Sequence, residues 1–261
     1  MKLKLLLINL GWKFFFIVSH FKKWGKKTFI YNIGKKAKFR LRVNTSDKFT
    51  VIEVWESKEY IDSEFDIKKD DVVVDIGANI GAFSVLAAKK ANNGIIFAYE
   101  PDKENYGMLL KNKFLNKVDN IFPFNLAISA KKGSIDFFTT KLNSNAHSVY
   151  DSSPSRIIKI KSNTLNDIFT TNKIRRINYL KIDAEGAEYD ILLNTPTELI
   201  RKIDKIVLEY HDYLDHGHSY IELIRYLEKN RFKVELYGTN FLSIIGRMYG
   251  IGMIRARRLT T

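Results

Sequence analysis

The chain contains no cysteine and only four prolines among its 261 residues. The lack of a thiol excludes disulfide frameworks, cysteine-based zinc sites, iron–sulfur clusters and cysteine nucleophiles. Any chemistry must therefore come from carboxylates, histidines, hydroxyl groups or a bound cofactor. A hydrophobic fraction of 45% excludes global disorder and supplies the core of one large domain, with or without an appendage.

Acidic residues are missing from both ends of the chain. Twelve Lys and Arg residues precede Asp47, the first acidic residue, and four arginines with no acid follow Glu235. The segment between them holds 27 basic and 29 acidic residues, so the net charge of +14 belongs to the ends. Stretches of one sign attract phosphate groups of a nucleic acid or of an anionic membrane, or simply keep a protein soluble.

The N-terminal segment lacks a hydrophobic run long enough to cross a bilayer. Its apolar stretch from Leu5 to Val18 is interrupted by polar residues and is shorter than the roughly 20 residues that a spanning helix needs. No small-residue cleavage site follows it, which favours a cytoplasmic location. We expect residues 1–66 to form a basic extension whose amphipathic helix docks on the protein or lies at a membrane interface. Short strands are expected within it at 39–43 and 49–54.

Strands and helices alternate through the middle of the chain. The alternation predicts a doubly wound α/β domain over 67–246, with a mostly parallel, Rossmann-like sheet, an antiparallel last strand and a basic tail at 247–261. In such sheets ligands bind beyond the carboxyl ends of the strands. The predicted sheet strands are 71–76, 95–99, 120–128, 179–182 and 205–210, followed by a pair at 232–237 and 241–245; a further pair is predicted at 134–139 and 156–162.

The end of the first predicted strand is a glycine-containing loop with the pattern D-x-G-x-N-x-G. Gly77 and Gly81 allow a sharp turn and a close approach to a ligand, and Asp75 can hold an ammonium group or cap the helix that follows. Glu100 ends the next strand, 25 residues beyond Asp75. That offset is near the one at which an acid hydrogen-bonds the ribose hydroxyls of a nucleotide-like cofactor, either a nicotinamide or S-adenosylmethionine.

Carboxylates and a histidine follow the next two strands. Asp183 and Glu185 flank the end of the fourth strand, and His211 closes the fifth. Side chains that converge there can deprotonate a hydroxyl group, orient it or hold a divalent cation. Alternatively, the two acids can be caps for the next helix, and the histidine can be a solvated strand end.

Four motifs in order give a specific resemblance. The stretches Asp75–Gly81, Tyr99–Pro101, Leu180–Glu188 and Leu208–His211 resemble those of the FkbM family of S-adenosylmethionine-dependent methyltransferases, over roughly residues 70–237. Asn79 stands where the wider class usually carries a third glycine. The resemblance implies a class I methyltransferase sheet and O-methyl transfer to a hydroxyl of a sugar, glycan or natural product.

The resemblance also implies a role for each candidate residue. The loop with Asp75, Gly77, Asn79 and Gly81 holds the methionine part of S-adenosylmethionine, and Glu100 binds the ribose hydroxyls. The resemblance places Asn125 and Ala127 beside the adenine. The strand ends give Asp183, Glu185 and His211 as the catalytic residues, with Asp183 as the first candidate base and His211 as the second. No metal ligand is predicted.

Three other functions fit parts of the sequence. A nucleic-acid methyltransferase, in particular one acting on RNA, would use the basic ends to hold phosphates. An Asn-Pro-Pro-Tyr-like motif after the fourth strand and a cysteine for C5 chemistry are both missing, which counts against it. A dehydrogenase leaves the carboxylates after the fourth strand without a role. A binding module could keep the sheet and have lost its chemistry.

Overall fold

A computed structural model of the protein describes residues 27–139, 156–212, 217–237 and 250–259. The helix expected near the N-terminus and the strand expected at 241–245 lie outside these residues. Within the described ranges, no helix is both long and apolar enough to cross a membrane.

The described residues form strands and mostly short helices. The strands are β1 (Thr28–Ile33), β2 (Ala37–Arg42), β3 (Val72–Ile76), β4 (Ile95–Tyr99), β5 (Ile121–Phe124), β6 (Ala127–Ile128), β7 (Gly133–Thr139), β8 (Arg156–Asn163), β9 (Ile177–Ile182), β10 (Ile203–His211), β11 (Phe232–Tyr237) and β12 (Ile251–Arg258). The α-helices are α1 (Asp47–Ile52), α2 (Ala82–Lys90), α3 (Lys103–Asn116), α4 (Leu165–Thr171), α5 (Glu188–Leu193), α6 (Thr197–Ile200) and α7 (Tyr220–Lys229), and a π-helical turn spans Glu53–Ser57.

The central sheet has seven strands in the order β11-β12-β10-β9-β3-β4-β5. Strands β5, β4, β3, β9 and β10 are parallel, whereas β12 is antiparallel to both of its neighbours. The predicted doubly wound, mostly parallel sheet with an antiparallel last strand is therefore confirmed. The strand order reverses between β3 and β9, so the crevice that such sheets use for ligands opens at the carboxyl ends of these two strands.

Two hydrophobic cores lie on the two faces of this sheet. One core joins the β1-β2 hairpin, α1, α2 and α3 to the sheet through side chains such as Phe39, Leu41 and Leu109. The other joins α4, α5 and α7 to the opposite face. Burial on both faces explains why the sheet strands are near-continuous runs of Val, Ile and Leu. The hairpin shares a core with the sheet and is packed as part of it.

The segment 49–54 is helical, which corrects the predicted strand there. Its run of β-branched residues favours a strand by propensity, but Val51 and Val54 are both buried in the same core. A spacing of three residues places both side chains on one helical face, and tertiary packing decides the outcome. The expected strand at 39–43 is found as β2, and its hairpin partner is β1.

The single strand expected at 120–128 is divided. Strand β5 ends at Phe124, and β6 joins a separate three-stranded sheet with β8 and β7. At the bend, the Asn125 side-chain amide donates hydrogen bonds to the carbonyl oxygens of Glu100 and Pro101, both at 2.9 Å. These bonds hold the bend against the end of β4. The predicted strand pair at 134–139 and 156–162 is found as β7 and β8, which the structure shows to be antiparallel.

Strand β12 occupies most of the stretch that was expected to be a basic tail from residue 247. It lies between β10 and β11, and Arg255 in its middle is fully buried. The Arg255 guanidinium bonds to the Asp62 carboxylate and to the carbonyl oxygen of Glu59, at 2.6 Å for the latter. The tail prediction is therefore wrong for residues 251–258, because partners on another segment neutralise Arg255 and allow a strand that carries it to be buried.

Candidate active site

The loop after β3 passes very close to the end of β9. Gly77 has a φ of +75°, and a Cβ atom built on it would lie 1.7 Å from the carbonyl oxygen of Asp183. The backbone N–H groups of Gly77 and Ala78 both donate to the carbonyl oxygen of Tyr99 at 3.0 Å. Only glycine fits this position, which explains the glycine of the D-x-G pattern. At Gly77 the ends of β3, β4 and β9 come into contact.

A cleft opens at these three strand ends. It is lined on one side by the loop after β3 and the end of β4, and on the other by the turn after β9 and the start of β6. Six of the residues predicted for the site contribute to its wall, which brings together positions far apart in the sequence. These residues are Gly77, Asn79, Glu100, Ala127, Asp183 and Glu185.

Glu100 is a buried carboxylate on the cleft wall, with 4% of its surface exposed. Its Oε2 accepts a hydrogen bond from the backbone N–H of Asn79 at 2.7 Å, and its Oε1 accepts one from Asp102 at 2.8 Å. Burial raises the pKa of Glu100 to about 8, although these two bonds counteract part of the rise. Each oxygen keeps a further lone pair, so the group can still accept hydrogen bonds from ligand hydroxyls.

Asp75 lies beneath the cleft and is fully buried. Its Oδ2 accepts a hydrogen bond from the Ser84 hydroxyl at 2.5 Å, and its Oδ1 lies 3.3 Å from the Lys181 ammonium. The Lys181 Nζ also donates to the Gly77 carbonyl oxygen at 2.7 Å. Asp75 therefore supports the loop through Ser84 and Lys181.

Gly81 and Asn125 are also placed outside the cleft wall. Gly81 begins helix α2 with a φ of +83° and packs against Leu109 of α3. The Asn125 amide is engaged with the two carbonyl groups at the end of β4. Their predicted contacts with the cofactor stay predictions, and in this structure both residues shape the elements around the cleft.

Asp183 is held from two sides. The Tyr60 hydroxyl donates to its Oδ2 at 3.3 Å, and the Lys181 ammonium lies 3.5 Å from the same oxygen. Lys181 also lies over the Tyr60 ring, 5.4 Å from its centroid. Burial alone would lower the pKa of Lys181, but the Asp75 and Asp183 carboxylates raise it above its usual value, so the ammonium stays charged.

A buried carboxylate fastens the turn after β9. The Glu188 Oε1 accepts from the Ala184 N–H at 2.8 Å, and Oε2 accepts from the Gly186 N–H at 2.9 Å. Its Oε1 also lies 3.1 Å from Nδ1 of His211, which is 4% exposed. The other ring nitrogen, Nε2, lies 3.6 Å from Glu185. His211 thus connects the turn to β10 from behind the cleft.

His211 and its acidic neighbours perturb each other. Burial alone would lower the pKa of His211, but Glu188, Glu185 and Glu209 hold it well above its usual range. Burial also raises the pKa values of Glu185 and Glu209, and the charge of Asp183 adds to both rises. Groups with such shifts cluster at functional sites because burial and like charges are concentrated there.

Three ligand atoms at this place have the spacing of a metal site. Donor atoms of Asp183, Glu188 and His211 all lie within 4.8 Å of one another. Two carboxylates and an imidazole are ligands that divalent metals accept. The Glu188 oxygens already accept hydrogen bonds from the turn and approach His211, so these protein contacts account for the positions of Glu188 and His211.

Sequence reasoning missed four residues of this site. Lys181 lies two positions before Asp183 in the same strand, and the strand period of two gave a signal that both share a face. Glu188 and Glu209 stand inside the motifs that carried the family resemblance. Tyr60 had no such signal, because it comes from the N-terminal part of the chain, and only the packing of that part against β9 brings it to Asp183.

Comparison with known proteins agrees with this geometry. The profile of the methyltransferase FkbM domain matches residues 75–234, which is more than half of the chain. The hexuronic acid methyltransferase AglP of Haloferax volcanii is 26% identical over 148 residues, or 57% of this chain and 59% of that protein. The chain therefore matches less than two thirds of the length of that relative.

Two further proteins extend the comparison. Methyltransferase 1 of Beauveria bassiana is 24% identical over 197 residues, which cover 67% of this chain and 79% of that protein. A solved structure of the fibrillarin pre-rRNA processing protein of Methanococcus jannaschii superposes with a TM-score of 0.50 and 14% identity, covering 92% of this chain and 87% of that one. At this identity the likeness shows the fold alone.

Proposed function

This chain belongs to the FkbM family of methyltransferases, and from that premise we propose that it transfers a methyl group from S-adenosylmethionine to a hydroxyl of a sugar, a glycan or a natural product. One observation carries the proposal. The cleft has a buried carboxylate, Glu100, on one wall and a second carboxylate, Asp183, on the other, which has a quarter of its side chain exposed. The first suits a ribose, and the second suits an attacking hydroxyl.

The residues of the cleft fit S-adenosylmethionine. Glu100 keeps lone pairs for the two ribose hydroxyls, and Gly77 has no side chain to fill the space beside the end of β9. An apolar wall formed by Leu126, Ala127, Ile128 and Phe137 suits the flat face of an adenine. The cleft thus offers an acceptor for the ribose and an apolar wall for the adenine.

The transfer needs little from the protein besides alignment and proton removal. S-Adenosylmethionine supplies, when bound, a methyl group on a sulfonium, which is already activated toward attack by oxygen. We assign to Asp183 the work of orienting the acceptor hydroxyl and accepting its proton as the new carbon–oxygen bond forms. The Tyr60 hydroxyl and the Lys181 ammonium fix the Asp183 carboxylate in place.

His211 has a different role in this proposal from the one expected of a second base. Because its acidic neighbours hold its pKa well above the usual range, the imidazole keeps its proton near neutral pH. A protonated imidazole cannot accept a proton. We therefore infer that His211 is a positioning residue, which orients Glu185 and Glu188 from behind the cleft.

The charge around Asp183 favours a hydroxyl-rich acceptor over a nucleic acid. Asp183, with a quarter of its side chain exposed on the cleft wall, presents a carboxylate that accepts hydrogen bonds from hydroxyl donors and repels phosphates. The relative described as a hexuronic acid methyltransferase supports a sugar as the acceptor class. The RNA methyltransferase alternative rests on the basic ends and would require salt-sensitive retention on RNA.

Calorimetric titration tests the cofactor part of the proposal. We expect the wild type to bind S-adenosylmethionine and its demethylated product saturably. Glu100→Ala should weaken both by about tenfold, because it removes the acceptor of two ribose hydroxyls and each hydrogen bond contributes about 0.5–1.5 kcal/mol. Glu104→Ala, four residues further on and exposed, should leave both affinities unchanged. If the folded wild type binds neither compound, the methyltransferase proposal fails and the hypothesis of a binding module without this chemistry is favoured.

Transfer of a labelled methyl group tests the chemical part. With a panel of neutral sugars, glycans and sugar acids as acceptors, Asp183→Asn should lower kcat by about 10²–10⁴-fold, the usual contribution of a general base, and leave cofactor affinity within a few-fold. Transfer by Asp183→Asn at the wild-type rate would remove Asp183 from this role. Labelling of RNA in place of the sugars would overturn the proposed acceptor class.

A further inference from the structure

Helix α3 exposes a hydrophobic stripe. Phe114 is 85% exposed and Leu110, four residues earlier, is 41% exposed, so both side chains lie on the same outer face of the helix. The opposite face packs Asn105, Met108 and Leu109 into the molecule. Single exposed apolar residues are common, but a phenylalanine that leaves most of its ring in water beside an exposed leucine is a feature of interaction surfaces.

Lysines surround this stripe. Lys103, Lys111 and Lys117 are exposed on the same helix or at its end, and Glu104 is the only acidic residue of α3. Glu104 lies 3.8 Å from Arg42 and is thereby compensated. The groove beside the stripe is lined by Lys27, Lys103 and Lys111 among others. We call the surface formed by Lys103, Leu110, Lys111, Phe114 and Lys117 the α3 face.

The hairpin next to α3 also exposes apolar and basic side chains. The backbone of β2 is bonded to α3 through Asn112 and Asn116, at 2.7 Å from the Arg40 N–H and 3.0 Å from the Lys38 N–H. Lys38 and Arg40 point away from the core, and the exposed Ile30 pairs with Arg40 across the hairpin. The combination of exposed apolar and basic side chains is therefore repeated on the element next to α3.

We propose that the α3 face binds the surface of an anionic lipid bilayer. Apolar side chains flanked by lysines match the boundary between acyl chains and phosphate headgroups, where the apolar groups enter and the lysine stems reach the phosphates. The composition of the preceding segment adds to this match. Residues 1–26 contain six lysines and no acid, and they join the described structure at Lys27, on the wall of the groove.

Charge argues against a second copy of the chain as the occupant. A symmetric pair built on this face would bring the lysines of one copy against those of the other, and like charges at close range oppose association. A nucleic acid would satisfy the lysines, but it offers no apolar layer for Leu110. The bilayer surface satisfies both groups at once.

Vesicle flotation with the full chain tests the proposal. We expect the protein to float with vesicles that contain phosphatidylglycerol and to stay behind with pure phosphatidylcholine. Phe114→Ser should weaken partitioning severalfold, and Lys111→Glu with Lys117→Glu should weaken it by about tenfold or more, since each lysine near an anionic surface is worth about fivefold. A matched control, Ile157→Ser with Lys229→Glu, alters an exposed apolar and an exposed basic residue elsewhere and should float like the wild type.

Several results would overturn the proposal. Wild-type protein that floats with neither vesicle would do so, as would face variants that float like the control while removal of residues 1–26 abolishes flotation. Light scattering that finds a dimer broken by Phe114→Ser would assign the face to a second copy. Because the altered residues are exposed, thermal melts of the variants should match the wild type, and cofactor titration keeps this outcome separate from that of the proposed methyl transfer.

Discussion

The site depends on backbone conformations that few residue types allow. Gly77, Asn79 and Glu185 all have positive φ values, and all three line the cleft. Such conformations cost free energy for residues with a side chain and persist where the surroundings enforce them. In this protein the ends of β3, β4 and β9 impose these conformations. The loop after β3 is hydrogen-bonded to the Tyr99 carbonyl oxygen at the end of β4 and contacts the Asp183 carbonyl oxygen after β9.

Gly77→Ala should destabilise the fold strongly. The new methyl group would meet the Asp183 carbonyl oxygen at 1.7 Å, and neither strand end can move without breaking the sheet register. We expect a loss of about 3 kcal/mol or more in the free energy of unfolding, measured by chemical denaturation. Gly34→Ala is the control, because Gly34 also has a positive φ, +49°, but faces open space, and it should cost about 1 kcal/mol. Equal losses would refute the close approach.

Glu209→Gln should stabilise the protein at alkaline pH. Burial, with Asp183 and Glu59 nearby, raises the pKa of Glu209 above its ordinary 4.5. The native state therefore holds this proton at pH values where the unfolded chain has released it, and stability falls as the pH rises above 4.5. The variant removes that cost, so its gain in Tm should be clear at about pH 8.5 and small at about pH 5.

Exposed Glu228→Gln serves as the control for this titration. It lies on α7 with its side chain in solvent, where a change of charge has little effect on stability. A Tm gain for Glu209→Gln that is the same at both pH values would show that packing, and not ionisation, is responsible.

At the scale of elements, asparagines join the hairpin to the domain. Helix α3 lies along the edge of β2, and the buried Asn112 accepts a hydrogen bond from the Arg40 N–H at 2.7 Å and donates one to the Ile80 carbonyl oxygen at 2.8 Å. Asn116 repeats the bond one turn later with Lys38. An edge strand is left with unpaired backbone groups, and here side chains of a helix satisfy three of them: the N–H groups of Arg40 and Lys38 and the carbonyl oxygen of Lys38.

Asn112→Ala should cost more stability than Asn116→Ala. The first change leaves the Arg40 N–H and the Ile80 carbonyl without partners in a buried place, for a loss of about 2 kcal/mol or more in the free energy of unfolding. Asn116 is partly exposed, so water can replace its bonds and the loss should be about 1 kcal/mol or less. Urea denaturation of both variants measures the difference, and a reversed order would contradict this account.

For the whole molecule, the sheet depends on an inner strand, β12, that comes from near the end of the sequence. Strand β12 pairs with β10 on one side and β11 on the other, and its residues Ile254 and Ala256 are fully buried. The Arg255 guanidinium also reaches Asp62 and Glu59, so this strand joins the sheet to the N-terminal part of the chain. The molecule therefore depends on residues that are close to the end of its sequence.

Truncation after Tyr249 should abolish cooperative unfolding. It removes β12, which leaves β10 and β11 without their common neighbour and opens both hydrophobic cores. Truncation after Leu259 removes only two threonines and should leave the thermal transition unchanged. Thermal melts followed by circular dichroism compare the two chains. A shared transition midpoint would mean that β12 contributes little to the fold.

The sequence by itself determined the parallel sheet and the main residues of the cleft. Strands buried on both faces carry near-continuous apolar side chains, so the run Val72–Val74 predicts β3 without any knowledge of its neighbours. Ligands of such sheets lie at strand ends, so Gly77, Glu100 and Asp183 could be placed from their positions after predicted strands. These signals are local, and the structure brings all three residues to one cleft.

Only the tertiary structure decided which charged groups are buried and which segments meet. The sequence predicts a basic tail around Arg255, but in the structure Asp62 neutralises this residue within a strand. The sequence also predicts a strand at 49–54, but this segment is a helix that buries Val51 and Val54 on one face. Tyr60 reaches Asp183 across 123 positions of sequence. Contacts of this kind depend on the packing of distant segments. The free energy of this packing outweighs local propensity, and it cannot be predicted from the sequence of either segment alone.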